Sequence, residues 1–141
     1  MISYIHVKSD FEYQQSSVLF EEYSRWLNID LSFQKFEEEL ISLKNMYGGK
    51  NGTIILAYEN STPIACVAVR PITDEIGELK RMHVKPEFQK KGIGQELLNQ
   101  SVSFAKQAEY KKIRLDTLEH MTPAMNLYIK NGFYKIEAYY F

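Results

Sequence analysis

Residues 78–94 read ELKRMHVKPEFQKKGIG, and this stretch decides the fold. Its first seven residues predict a strand, a turn containing proline follows, and two glycines begin a helix. A helix N-terminus exposes unpartnered backbone N–H groups and carries about half a positive charge. Gly92 and Gly94 allow a ligand to approach this backbone closely, and Lys90 and Lys91 add positive charge. The segment therefore predicts a cradle for a pyrophosphate group.

Other phosphate-binding loops fit this segment poorly. A P-loop requires Gly-Lys followed by Ser or Thr after a longer gap, and that pattern is missing. The dinucleotide fingerprint requires a third glycine where Leu97 stands. Two glycines alone are equally compatible with a plain turn before a helix. The choice between a cradle and a plain turn therefore depends on the rest of the chain.

Hydrophobic periodicity divides the chain into strands and helices. Strands are predicted at residues 2–7, 53–58, 64–69, 78–84, 113–118 and 133–141. Helices are predicted at residues 10–27, 32–48, 92–108 and 122–131, the second with Glu37, Glu38 and Glu39 on its solvent side. This order predicts an α+β, or mixed α/β, fold with helices on both faces of one sheet.

Two segments closely resemble the GNAT superfamily of N-acetyltransferases. Gln89, Gly92 and Gly94 resemble its acetyl-CoA signature after a strand, and residues 127–133, LYIKNGF, resemble its closing element. Residues 78–81 and 116–118 further resemble a bacterial subgroup whose acceptors are largely unassigned. The resemblance implies one N-acetyltransferase domain over residues 1–141, with a central mixed, mainly antiparallel sheet and acetyl-CoA as co-substrate.

The chain departs from this family pattern in two places. The family often has an Asn seven residues before the tyrosine of its closing element, where this chain has Met121. The family also usually ends with a hairpin of two strands, whereas this chain stops at Phe141. We therefore expect that the last strand is missing or that another subunit supplies it. In the second case the protein would be a homodimer.

The resemblance implies a division of the cofactor site between a strand and a helix start. The strand offers backbone groups to the pantetheine, and a backbone N–H near Met82 polarises the thioester carbonyl. The implied cofactor-binding residues are Met82, His83, Val84, Gln89, Lys90, Lys91, Gly92, Ile93 and Gly94.

The resemblance also implies the catalytic residues. Tyr128 matches the family's general acid for the coenzyme A sulfur; otherwise it is a core aromatic on an amphipathic helix. Glu78 begins the central strand, where family members often carry a carboxylate that takes the amine proton through water; otherwise it is a surface charge. His83 is the alternative base, but we interpret it as a backbone contact. Cys66, in an apolar strand, is expected in the core.

Composition limits the possible partners. The chain of 141 residues suits one compact domain, and its net charge of −1 argues against a nucleic-acid binder. The sequence predicts no segment that spans a bilayer and no signal peptide, and its single cysteine fits the expectation of a reducing cytoplasm. The spacing of its three histidines and one cysteine predicts no metal site. Residues 1–60 carry 5 Lys/Arg against 9 Asp/Glu, so a cationic acceptor is one hypothesis.

Three functions remain open from the sequence. The first is an acetyl-CoA-dependent N-acetyltransferase that acts on a primary amine of a small molecule, favoured because no extended basic or peptide-docking feature is present. The second is a protein acetyltransferase for lysine or N-terminal amines. The third is an acyl-CoA-binding module without enzymatic activity, which loss of Tyr128 and Glu78 would have favoured.

Overall fold

The computed structural model describes residues 1–27, 36–115, 122–134 and 136. The strands in this part of the chain are β1 (Ile2–His6), β2 (Thr53–Glu59), β3 (Thr62–Pro71), β4 (Ile76–Val84) and β5 (Lys112–Leu115). The helices are α1 (Asp10–Leu27), α2 (Phe36–Ile41), α3 (Leu43–Tyr47), α4 (Ile93–Gln107) and α5 (Thr122–Lys130), and Pro86–Phe88 forms one turn of 3-10 helix. Among these described helices, none is both long enough and apolar enough to cross a membrane.

The strands form one sheet in the order β1-β2-β3-β4-β5. The first four strands pair antiparallel with their neighbours, whereas β4 and β5 are parallel. A parallel pair needs a long crossover connection, and α4 provides it. The predicted mixed, mainly antiparallel sheet is therefore confirmed.

Successive side chains of the central strands face two different hydrophobic cores, because side chains of a strand alternate between its faces. In the first core, Leu56 packs with Phe20 of α1 and Tyr47 of α3. In the second core, Ile55 packs with Leu97 of α4 and Tyr128 of α5. Helices therefore cover both faces of the sheet, as predicted.

The predicted second helix is two helices in the structure. The N–H of Ser42 bonds to the carbonyl groups of both Glu38 and Glu39, and its backbone leaves helical geometry at φ −114° and ψ 26°. This break lets α3 turn Leu43 and Tyr47 into the first core. The predicted start of this helix, at Ser32, lies outside the described residues.

The C-terminal predictions are only partly covered by the described residues. β5 ends at Leu115, and residues 116–118 of the predicted strand lie outside the described part. Phe133, Tyr134 and Ile136 belong to no strand, and residues 135 and 137–141 of the predicted last strand lie outside it. Met121 also lies outside.

Candidate active site

Within the described residues, β5 pairs with only the first part of β4, and we call the β5 side of residues 80–84 the free edge of β4. β5 pairs with β4 only from Ile76 to Leu79, whereas β4 continues to Val84. Among the described residues, the β5 side of residues 80–84 therefore has no strand partner. A strand edge of this kind presents backbone N–H and C=O groups that an extended ligand can bind.

A β-bulge interrupts β4 within this free stretch. Cys66 pairs with His83 and Ala68 pairs with Lys80, so Val67 alone opposes the two residues Arg81 and Met82. Arg81 takes up the extra residue in the left-handed region, at φ 60°. The sequence contains no glycine here and gave no signal of the bulge. Bulges commonly redirect backbone groups beside active sites.

Glu39 is buried against the bulge, so the prediction that it faces solvent is wrong. Its two carboxylate oxygens accept hydrogen bonds from Arg81 Nε at 2.9 Å and Arg81 Nη2 at 2.8 Å. The Lys80 ammonium lies 3.6 Å from Glu39 Oε1. Burial alone would raise the pKa of Glu39, but the hydrogen bonds and charges of Arg81 and Lys80 lower it. The cations of Arg81 and Lys80, which lie on β4 some 40 residues along the chain, compensate the charge at this buried position.

Glu22 of α1 joins a second polar group at the end of β4. Its Oε1 lies 3.0 Å from Nε2 of the buried His83, and its Oε2 lies 3.7 Å from Nζ of Lys85. The Tyr23 ring is 5.8 Å from the His83 ring. The imidazole of His83 thus faces α1, and its backbone remains the part that could meet a cofactor.

Glu78 lies in the half of β4 that is fully paired. Its carboxylate accepts a hydrogen bond from Arg70 Nε at 2.8 Å, and its side chain is only 1% exposed. The interpretation as a surface charge is therefore excluded. Glu78 also lies opposite Arg114 of β5, in the part of β4 that pairs with β5.

Tyr128 on α5 is buried in the second core. Its ring makes an edge contact with Phe133, with centroids 5.8 Å apart. Burial, with a smaller contribution from the nearby Tyr23, raises the pKa of Tyr128. The phenol therefore keeps its proton at neutral pH, as a proton donor must.

The glycine segment begins α4 as predicted. Gly92 is the N-cap residue of α4 and lies in the left-handed region, at φ 82°. Lys90 and Lys91 are exposed, and Gln89 Nε2 donates to the carbonyl of Val84 at 3.0 Å, which ties the segment to the end of β4. Ile93 is buried in the second core, so only its backbone can meet a ligand.

The structure brings the two motif segments into contact. A Cβ added to Gly94 would lie 3.5 Å from Leu127, the neighbour of Tyr128. Gln95 and Asn131 exchange side-chain hydrogen bonds at 2.8 and 3.0 Å. Met82 and Val84 of β4 pack against the same core as Tyr128. The predicted cofactor residues and Tyr128 therefore lie around one region, whereas Glu78 lies farther along β4.

Comparison with known proteins agrees with this geometry. The model of the acetyltransferase (GNAT) family matches residues 19–133. An uncharacterized N-acetyltransferase of Schizosaccharomyces pombe is 33% identical over 141 residues, which cover 99% of this chain and 86% of the relative. An acetyltransferase structure from Streptococcus agalactiae aligns with a TM-score of 0.81 at 20% identity, over 96% of this chain and 85% of that chain. A predicted acetyltransferase with acetyl-CoA from Clostridium acetobutylicum aligns with a TM-score of 0.70 at 23% identity, over 99% of this chain and 94% of that chain.

The mixed sheet and the helix start after β4 place the protein in the acetyltransferase class of folds. The family match covers most of the chain, and the fission-yeast relative exceeds 30% identity over nearly all of it. The chain belongs to the acetyltransferase (GNAT) family. The resemblance seen in residues 89–94 and 127–133 is thereby confirmed.

Proposed function

We propose that this protein transfers an acetyl group from acetyl-CoA to a primary amine of a small molecule, by direct transfer. The observation that carries this proposal is the contact between the glycine start of α4 and α5, beside the free edge of β4. A pyrophosphate binds the backbone N–H groups at Gly92–Gly94, and Lys90 and Lys91 contribute positive charge. The pantetheine arm then extends along residues 82–84.

The chemistry requires a polarised carbonyl, a neutral amine and a proton for the leaving sulfur. We assign the first role to the backbone N–H of Met82, in the bulge at the free edge. The amine nitrogen attacks the thioester carbon, the carbon–sulfur bond breaks, and the sulfur takes the proton of the Tyr128 hydroxyl. The raised pKa of Tyr128 keeps the hydroxyl protonated until the thiolate leaves, although it also makes the hydroxyl a weaker acid.

The proton of the amine leaves toward Glu78 in this proposal. Because the Glu78 carboxylate is buried and bonded to Arg70, the transfer needs an intervening water. His83 remains the alternative acceptor, since its imidazole lies close to the partly exposed Glu22. A pH profile of the Glu78 variant tests the assignment to Glu78, as described below.

The acceptor is tested by measuring thiol release from acetyl-CoA over a panel of amines. The panel contains polyamines, aminoglycosides, neutral amines, amino acids, and peptides with free lysine or N-terminal amines, each at low and high salt. Acetyl-CoA binding is titrated in parallel. We expect turnover with a small amine; preference for peptides would instead identify a protein acetyltransferase, and binding without turnover an acyl-CoA-binding module.

The salt series addresses the hypothesis of a cationic acceptor. Two of the acids in residues 1–60 have cationic partners within the protein: Glu39 is engaged by Lys80 and Arg81 of β4, and Glu22 by Lys85, which follows β4. Their charge is thus partly neutralised within the protein, which weakens the argument for a cationic substrate. If the hypothesis holds, a cationic amine is preferred and its apparent KM rises with salt.

A further inference from the structure

Arg81 occupies a backbone conformation that its residue type disfavours. Its φ of 60° lies in the left-handed region, where the Cβ of an L-residue crowds the following carbonyl group. Glycine or asparagine is the usual occupant of such a position. A strained residue beside a binding site persists only where its surroundings hold it. The contacts of Arg81 therefore indicate what holds the bulge in place.

Two contacts restrain both ends of Arg81. Its guanidinium makes the paired hydrogen bonds to Glu39, with only 4% of the Arg81 side chain and 1% of that of Glu39 exposed. Its carbonyl oxygen accepts a hydrogen bond from the buried Cys66 Sγ at 3.2 Å. The forked guanidinium geometry fixes orientation as well as distance, which a single point charge would not do. The side chain and the peptide group of the bulge are thus both restrained.

We infer that the Glu39–Arg81 ion pair is a positioning device for the reaction: it holds the bulge so that the Met82 N–H points at the thioester carbonyl. Neither residue touches substrate in this role. The inference rests on the proposed function, because it needs a cofactor on the free edge of β4. It also links α2 to the carbonyl-polarising group, although α2 precedes Arg81 by some 40 residues.

Removing one partner would leave a buried charge and could unfold the protein, so the test removes both charges together; Lys80, which also lies 3.6 Å from Glu39, keeps its charge in every variant. Two double variants are compared, Glu39→Gln with Arg81→Asn and Glu39→Gln with Arg81→Ala. Asparagine tolerates the left-handed region and alanine does not, while both lose the ion pair. Arg81→Lys is a third variant, which keeps the charge but loses the paired bonds. Leu43→Ala, a truncation in the first core, serves as the control for general destabilisation.

The direct readout is the infrared carbonyl band of acetyl-CoA labelled with carbon-13 at the carbonyl, bound to each variant. Hydrogen bonding to the carbonyl moves this band to lower frequency, and the measurement requires no acceptor amine. We expect the shift in the wild type, in Leu43→Ala and largely in the asparagine variant. We expect it to be lost in the alanine variant and reduced in Arg81→Lys. With an active amine, kcat should fall about tenfold or more in the alanine variant, while the Kd for acetyl-CoA changes less than twofold.

The outcomes separate this inference from the proposed function. If the wild type binds acetyl-CoA without any carbonyl shift, the proposed polarisation by Met82 is wrong. If the wild type shows the shift and the alanine and lysine variants retain it fully, the ion pair has no positioning role. A loss of the shift in Leu43→Ala as large as that in the alanine variant would also overturn the inference, because general destabilisation would then account for it.

Discussion

Alanine substitutions at Gly94 and Gly92 should separate cofactor binding from folding. A Cβ at Gly94 would meet Leu127 at 3.5 Å and Val84 at 4.0 Å, both ordinary contacts. Alanine is favoured over glycine within a helix by about 0.5–1 kcal/mol, so Gly94→Ala should keep or slightly increase stability. The new methyl group nevertheless lies beside the backbone that the pyrophosphate is proposed to approach. We expect an affinity loss of about tenfold, or 1.4 kcal/mol.

Gly92→Ala should instead lower the stability of the protein. A Cβ there meets nothing within 4 Å, but φ is 82°. The left-handed conformation costs an L-residue about 1–2 kcal/mol, and the stiffer unfolded chain offsets roughly 0.4–1 kcal/mol of that. A net loss of about 1 kcal/mol corresponds to a fall in Tm of about 4 °C for a chain of this size.

Thermal melts with and without acetyl-CoA measure both effects at once. At a ligand concentration of about 100 times the wild-type Kd, binding stabilises the wild type by about 2.7 kcal/mol. A tenfold weaker Gly94→Ala would gain only about 1.4 kcal/mol from the same concentration. The Tm of Gly94→Ala without ligand should equal or slightly exceed that of the wild type, and calorimetry should give the matching Kd. A wild-type Kd in Gly94→Ala would refute the placement of the pyrophosphate at this helix start.

Three further substitutions test the catalytic and packing assignments. Tyr128→Phe should reduce kcat by roughly 10²–10⁴ and leave the Kd for acetyl-CoA unchanged, and equal turnover of the two proteins would discard the role. Because the pKa of Tyr128 is raised, the kcat of the wild type should not fall below pH 10 through loss of this proton. Glu78→Gln should lower turnover most at low pH and least at high pH, because the amine loses its own proton at high pH. An equal loss of turnover across the pH–rate profile would instead indicate that Glu78 acts through its packing against Arg70. Gly77→Ala would place a Cβ 2.8 Å from the Tyr110 ring, so chemical denaturation should show that the free energy of unfolding falls by about 1–3 kcal/mol. A fall of less than about 0.5 kcal/mol would mean that the ring moves aside freely.

Local chemistry explains why much of the fold could be predicted. Residues 10–27 and 93–107 carry helical apolar patterns, and residues 53–59 carry a continuous apolar run of the kind found in a strand buried on both faces. The start of α4 was equally readable, because Gly92 and Gly94 act through their own backbone and need no distant partner. The contact between this helix start and α5 is set by tertiary packing and follows from neither segment alone.

Glu39 shows where such reasoning fails. Three consecutive glutamates on a helix normally indicate a solvated face, and Glu38 is indeed exposed. Glu39 is buried because Arg81 and Lys80 reach it from β4. No pattern within α2 announces that partner, since the pairing exists only after the helix has packed on the sheet.

The amino-acid sequence indicated most of the helices and strands, the two-sided sheet and the family, because these depend on patterns of neighbouring residues; the pyrophosphate cradle at Gly92–Gly94 stays a prediction. The tertiary structure alone decided the bulge at Arg81, the burial of Glu39 and the pairing of Glu78 with Arg70. A bulge depends on the register between two strands, and a buried charge depends on its counter-charge. Both are set by contacts between distant parts of the chain, which the order of residues does not display.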